Sequence, residues 1–195
     1  MSDPAATRTR LVRAAEQLFR VQGYSGTGLK QLTSQAQAPW GSLYHFFPRG
    51  KAQLGAEAAA YAGEVYGEGW RRAFEQAAEP GEAVERIFLV EAKILQGSDY
   101  RNGCPIASTS LDIASLDDGL RVACERAFDR WLAIIAAGFE AHGAPSESAR
   151  ALARFVLSAV EGAIVLARTA KDCTALLDCA RFMRATVERE AEEWG

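Results

Sequence analysis

The sequence predicts an all-α chain of about nine helices. Three observations carry that reading. Apolar residues recur at helical spacing in nearly every segment. Gly and Pro fall mostly at the punctuation points between segments. No stretch sustains the period-two alternation of a half-buried strand. The 195 residues are enough to bury the core of one or two domains. A content of 49% hydrophobic and 24% charged residues is that of an ordinary soluble globular protein, which excludes wholesale disorder.

The first helix opens at Asp3-Pro4, a capping residue followed by proline at the first helical position. Leu11, Ala14, Ala15, Leu18 and Phe19 form its apolar face, and Gly23 ends it. Thr27 stands where it can cap a short second helix with Leu29, Leu32 and Ala36 inward. A break at Gln37-Ala38 leads to Pro39 and a third helix, which runs to about Phe46 before Pro48 stops it. From Gly50 a long helix reaches about Ala78, with Leu54, Ala58, Tyr61 and Val65 at helical spacing. Gly63, Gly67 and Gly69 lie within it, each costing about 1 kcal/mol relative to Ala. Either the helix bends there or it packs closely on a neighbour.

Pro80-Gly81 turns into a helix ending near Gln96, centred on Val84, Ile87, Phe88 and Glu91. Residues 97–104 are the one irregular stretch of any length, and Pro105 starts a short helix. Ser115 to Asp118 fits a capping box. It opens a long helix to about His142 that carries Leu120, Cys124, Ala127, Phe128, Trp131, Ile134, Ile135 and Phe139. Gly143 to Pro145 breaks the chain again, and two helices follow, near 146–170 and 173–193. The sequence holds no internal repeat and no low-complexity segment.

The net charge of −3 hides a split. Residues 1–55 carry seven basic side chains against Asp3 and Glu16, a balance of +5, and the remainder carries −8. A small basic unit on an acidic body points to a polyanion partner for one end. The polar start, Met1 to Arg10, is no secretory signal, and the most apolar stretch, Leu152 to Ala167, is too short for a membrane span and is interrupted by Arg154 and Glu161. Cys104, Cys124, Cys173 and Cys179 have irregular spacing and no CxxC, so free thiols in a cytoplasmic protein are expected. No metal or cofactor is expected. Asp117-Asp118 reads as a helix start, and His142 as a helix-terminal residue favoured by the dipole. Glu161 is either a partly exposed or paired charge or a ligand hydrogen-bonding group.

Residues 27–51 carry the chemistry. They read as helix, tight turn, helix inside the basic unit, with Leu43, Phe46 and Phe47 as inward anchors. The second of these helices opens Pro39-Trp40-Gly41-Ser42, and its N-terminus suits phosphate oxygens. A helix-turn-helix lays such a helix in the major groove with its N-terminal residues at base edges.

The pattern Gly23-Tyr24, Thr27, then Gly41-Ser42-Leu43-Tyr44-His45-Phe46-Phe47-Pro48 and Lys51 resembles the DNA-binding domain of the TetR family of bacterial transcriptional repressors, over residues 7–55. Ala38-Pro39-x-Gly-Ser-Leu-Tyr-His-Phe-Phe-Pro is similar to the LmrA-like multidrug- and flavonoid-responsive branch, as is Gly103-Cys104-Pro105-Ile106. The resemblance implies a helix-turn-helix DNA-binding domain in residues 1–50 and a helical ligand-binding and dimerisation domain in 51–195. It implies that Thr27 caps the second helix and reaches a phosphate. By the same resemblance Gly41 and Ser42 are expected against DNA, Tyr44 and His45 on the backbone, and Lys51 on a phosphate. Gly28, Lys30, Pro39 and Trp40 complete the expected DNA-facing set. Trp40 departs from the family's polar residue, so it either packs on a thymine methyl or sugar or stands as an exposed aromatic.

Tyr66, Trp70, Phe88, Phe128 and Trp131 come from three helices and are core residues by default. The resemblance implies that they instead line an apolar pocket with Tyr100, Cys104 and Val160, for a small lipophilic or aromatic effector. Leu152, Phe155, Val156, Ala159, Val160 and Ala163 form one apolar stripe, and Leu176, Leu177, Ala180, Met183 and Val187 another. By themselves they fit an internal core. The resemblance implies a homodimer interface, with a two-fold axis to match a palindromic double-stranded DNA operator. The expected protein is a ligand-released repressor, not an enzyme and not membrane-bound. The rival is an all-helical lipophilic-ligand carrier or enzyme. The sequence holds only two histidines, no zinc-protease motif, no phosphate-binding Gly-Lys-Ser/Thr loop and no nucleophile elbow.

Overall fold

The structure, a computed structural model, describes residues 4–113 and 117–194. The described residues form nine helices and no strand: α1 (Pro4–Gln22), α2 (Leu29–Gln35), α3 (Trp40–Phe46), α4 (Gly50–Glu75), α5 (Pro80–Gly97), α6 (Pro105–Ile113), α7 (Asp118–Ala141), α8 (Ser146–Ala170) and α9 (Thr174–Ala191). The proposed caps Asp3 and Ser115 lie outside the described residues. At α7 the cap is Asp117, whose Oδ1 accepts the Leu120 N–H at 2.8 Å. Asp117 is thus a helix start, as expected. Thr27 does not cap α2 as the sequence suggested. Gly28 holds the cap position without a side-chain bond, and the Thr27 hydroxyl donates to the Gly23 carbonyl at 2.7 Å. The hydroxyl finds a nearer acceptor in the turn behind it.

The helices gather into two compact units that alternate along the chain: residues 1–64 with 104–128, and residues 65–103 with 129–195. In the first, Leu11, Ala15 and Phe19 of α1 meet Leu32 of α2, Leu43 of α3, Phe47, and Leu54 and Ala58 of α4, all essentially without solvent exposure. Tyr24, Leu29, Phe46 and Tyr61 pack against that core. Gly23 ends α1 at φ +79° with its N–H on the Phe19 carbonyl, the left-handed closure that favours glycine. Gln37 takes the left-handed position between α2 and α3, φ 49°, where the sequence showed only a break.

In the second unit α5 packs on α8 and α9, and α8 packs on α9. Gly81 makes the α5–α9 approach possible, since a Cβ there would stand 2.9 Å from the Arg184 carbonyl oxygen. Arg184 then bridges Glu85 of α5 at 2.6 Å and Glu188 of its own helix at 2.7 Å. Trp70 and Trp131 pack with ring centres 4.9 Å apart and planes tilted by 53°, and Tyr66 meets Trp131 edge-on at 5.9 Å. Phe74 meets Phe139 at 5.1 Å. The close approach of these segments falls at two glycines. A Cβ on Gly67 would stand 2.7 Å from Ile134 Cδ1, and one on Gly138 would stand 2.4 Å from the Phe74 ring. Close packing is therefore the role of Gly67, and α4 runs unbroken through it. Gly69 has open space around it. Val65 was expected inward but is half exposed, because the buried face passes from Ala62 to Gly67 and Trp70. His142 closes α7 with Nδ1 2.8 Å from the Gly138 carbonyl oxygen. All four cysteines are free thiols, and no described helix is long and apolar enough to cross a membrane.

Two glycine replacements separate packing from propensity. Gly69→Ala removes a flexible residue from a helix interior at no steric cost and should stabilise the fold by up to about 1 kcal/mol. Gly138→Ala drives a methyl into the Phe74 ring, which Phe139 also holds, and should destabilise by about 1–3 kcal/mol despite the same gain in propensity. Urea unfolding of both variants checks the opposite signs.

Candidate nucleic-acid interface

The first unit builds one exposed helix face from buried neighbours. α3 has only seven residues. It turns Leu43 inward, with Phe47 following at its end, and both are fully buried. At the spacing of a helix, that leaves Trp40, Gly41, Tyr44 and His45 outward, with Pro39 exposed at the cap and Ser42 half-buried. The Ser42 N–H closes on the Pro39 carbonyl at 2.9 Å.

Trp40 and Tyr44 are 48% and 49% exposed, and their rings meet edge-to-face at 6.3 Å, one helical turn apart. Trp40 is thus propped on Tyr44 on the outer face. His45 packs edge-on to Phe46 at 4.8 Å and is otherwise exposed. A Cβ on Gly41 would meet nothing within 4 Å, and the same holds for Gly28. The packing of the chain itself does not require glycine at position 41. Lys30 lies exposed on α2.

Two residues of the DNA-facing set turn out to be committed inside the unit. Thr27 is 1% exposed, and beside its bond to Gly23 its oxygen accepts from Gln22 Nε2 at 3.3 Å. Lys51 sends its ammonium to the Tyr24 carbonyl at 2.5 Å and over the Tyr24 ring at 4.2 Å. Burial pushes the Lys51 ammonium below its usual range, and the charge of Asp112 opposes that shift.

Other basic residues of the unit are also engaged. Arg8 pairs with Glu57 and lies over the Phe47 ring, Arg10 Nε donates to the Ala36 carbonyl at 2.9 Å, and Arg13 lies over Tyr61. The bond from Arg10 ties α1 to the end of α2 just before the turn into α3. Sequence reasoning missed Arg10 and Asp112 as parts of this site, and gave Tyr24 only as part of the motif. Asp112 accepts the Ser25 N–H from 87 residues away, so no local spacing could reveal it.

The candidate ligand residues divide between the units. Tyr66, Trp70, Phe88, Tyr100, Trp131 and Val160 belong to the second unit, and Cys104 and Phe128 to the first. Trp70, Trp131, Phe88 and Val160 are buried, with Tyr66 part-exposed at the edge of the tryptophan pair. The Cys104 sulfur accepts the Ala107 N–H at 3.3 Å. Tyr100 sits in a left-handed conformation, φ 56°, beside Cys173. Burial first, and Cys173 beside it second, push its phenol up.

The expected dimer stripe lies mostly inside the single chain. Leu152, Val156, Ala163, Leu176, Ala180, Met183 and Val187 are buried within the single chain, where α5, α8 and α9 pack together. Ala159 is half-buried. Of the residues named for that interface only Phe155 and Leu177 are substantially exposed. The outward apolar residues of the two helices are Phe155, Val165 and Leu166 on α8 and Leu177 and Phe182 on α9, each about half exposed or more. Both helices are apolar on two sides, and the denser stripe faces the chain's own core.

Residues 11–58 match the model of bacterial regulatory proteins of the TetR family, and residues 80–182 match the C-terminal domain of LmrA/YxaF-like transcriptional regulators. The chain is 32% identical to the HTH-type transcriptional regulator YxaF of Bacillus subtilis, over 97% of this chain and 100% of that protein. It is 37% identical to the HTH-type regulator Rv0196 of Mycobacterium tuberculosis, over 87% and 88%. It is 30% identical to LmrA of Bacillus subtilis, over 88% and 91%. Its fold is shared with a TetR regulator of Legionella pneumophila, TM-score 0.80 at 22% identity over 96% of this chain and 98% of that one. A helix-turn-helix with an exposed second helix, followed by a helical C-terminal domain matched over residues 80–182, places this chain in the TetR family of bacterial transcriptional regulators, with the LmrA/YxaF-like proteins.

Proposed function

We propose that this regulator is a repressor that binds a palindromic operator as a homodimer and is released by a small lipophilic or aromatic effector. The outer face of α3 carries the reading. Trp40, Gly41, Tyr44 and His45 stand exposed on a helix whose opposite side is locked into the core, and nothing in the chain itself calls for a glycine at 41. Backbone approach to DNA does call for one. In this reading Ser42, Tyr44 and His45 position the helix on phosphates, Gly41 allows the close approach, and Trp40 reads an apolar base edge or sugar.

Pairing of two chains sets two reading helices about 34–36 Å apart or a multiple of that. The surface that supports pairing is the outward face of α8 and α9, Phe155, Leu166, Leu177 and Phe182. An effector held near Tyr66, Trp70 and Trp131 acts by binding the released state more tightly than the DNA-bound one, and shifts the balance only by that difference.

Titration of the protein with a duplex from its own upstream region tests the repressor against the carrier or enzyme. A carrier shows no sequence-preferring duplex binding. For the repressor, log K falls linearly with log salt. Arg8, Arg10 and Lys51 have partners within the chain, Arg8 in a surface pair with Glu57, while Lys30 and Arg49 are exposed. With about two such cations per protomer, the slope for a dimer should be about −4. A slope near −10 would mean that the internally engaged cations swing out to phosphates. Trp40→Ala should lower affinity by a factor that differs between operator variants. A uniform loss, or none, rules out base reading by Trp40.

Phe182→Glu tests the pairing face. The side chain is 61% exposed, so the substitution should leave the single chain folded. Sedimentation should show a monomer, and operator binding should weaken at least tenfold. A variant that remains dimeric removes this face from the interface.

A further inference from the structure

The turn between α1 and α2 is held from three directions. Within the turn, Tyr24 carbonyl oxygen accepts the Thr27 N–H at 3.1 Å and Gly23 carbonyl oxygen accepts the Thr27 hydroxyl at 2.7 Å. From α4, Lys51 donates to the same Tyr24 carbonyl at 2.5 Å. From α6, Asp112 Oδ2 accepts the Ser25 N–H at 2.8 Å. That oxygen also lies 2.9 Å from where a Cβ on Gly23 would stand, so the glycine that closes α1 also leaves room for the carboxylate. α6 packs on α1, and the segment that carries it belongs to the same compact unit as the helix-turn-helix.

A carboxylate near a DNA-reading domain repels phosphate. This one accepts a backbone N–H in the turn instead. A charge-assisted bond to a backbone N–H is among the stronger hydrogen bonds, and this one fixes a turn that sets the direction in which α2 leaves α1. α3 follows α2 through a turn of four residues, 36–39, that Arg10 ties back to α1. We infer that Asp112 is a positioning residue for DNA reading: from outside the helix-turn-helix, its carboxylate fixes the α1–α2 turn and thereby the pose of α3. The inference rests on the DNA reading proposed above. It makes specific affinity depend on where α6 holds Asp112.

Asp112→Ala and Asp112→Asn in the full chain test it, each titrated against the operator duplex and an unrelated duplex. Asp112→Ala loses the acceptor and should weaken operator binding roughly tenfold. Affinity for the unrelated duplex should hold or rise, because a negative charge has gone. Asp112→Asn keeps a carbonyl oxygen and should recover most of the operator affinity. Exchange of the Ser25 amide hydrogen should quicken in Asp112→Ala and stay near wild type in Asp112→Asn. Equal strengthening on both duplexes would reduce Asp112 to a repelling charge and overturn the inference, as would unchanged Ser25 exchange in Asp112→Ala. The exchange measurement needs no DNA. If the wild type binds no duplex, the DNA reading fails while Ser25 protection still reports on the bond itself.

Discussion

The reading face depends on the burial of Leu43 and Phe47. α3 spans seven residues, and isolated helices shorter than about 12–15 residues are marginal in water. It therefore cannot hold its own shape. What holds it is a pair of side chains with no solvent exposure, set among Leu11, Phe19, Leu32 and Leu54. Burial of each such side chain contributes about 1.5–3 kcal/mol. The same anchoring that makes α3 a helix also decides which face it shows. Once Leu43 is inward, Trp40 and Tyr44 have nowhere to go but solvent, and each supports the other across one turn. Stability and recognition in this unit are two sides of one constraint.

Most of the helix punctuation was legible because proline and glycine act locally. Pro4, Pro39, Pro80 and Pro105 mark starts, and Gly23 marks an end, through backbone geometry that needs no distant partner. The inward anchors of the reader were legible for a related reason, since helical spacing sorts them. What could not be read is which acceptor a polar side chain finds. Thr27 had the right place for a cap but turned to Gly23, and Lys51 had a free-looking amine but turned to Tyr24. Those outcomes depend on how the α1–α2 turn folds back and on where α4 begins relative to it. Asp112 lies further still from legibility, because only the packing of α6 on α1 brings it to Ser25.

The last two helices show a different limit. Periodicity says that a helix has an apolar face, but it does not say what covers that face. α8 and α9 each have two. The stripe with the stronger pattern, through Val156, Ala163, Leu176 and Met183, is consumed by α5 and by the helices' own contact. The weaker one, through Phe155, Leu166, Leu177 and Phe182, is left outside. The densest apolar surface is used for folding the chain itself. The residual face is smaller and more scattered, which makes it harder to see in the sequence.

Charge follows the same logic. The basic balance of the first 55 residues pointed to a polyanion partner, yet several of those cations are not aimed at one. Arg8 holds Glu57, Arg10 holds the end of α2, and Lys51 holds Tyr24. They build the reader, and with Asp112 opposite Lys51 they fix its turns by bonds to backbone and ring. A domain assembled this way presents few free cations of its own. In the proposed reading its hold on phosphate leans on hydroxyl, imidazole and backbone donors of α3, which act only at short range and in one orientation. On that reading, weak nonspecific attraction and a strict demand on pose are consequences of the same use of charge, and a single carboxylate on α6 imposes that demand from outside the reading helices.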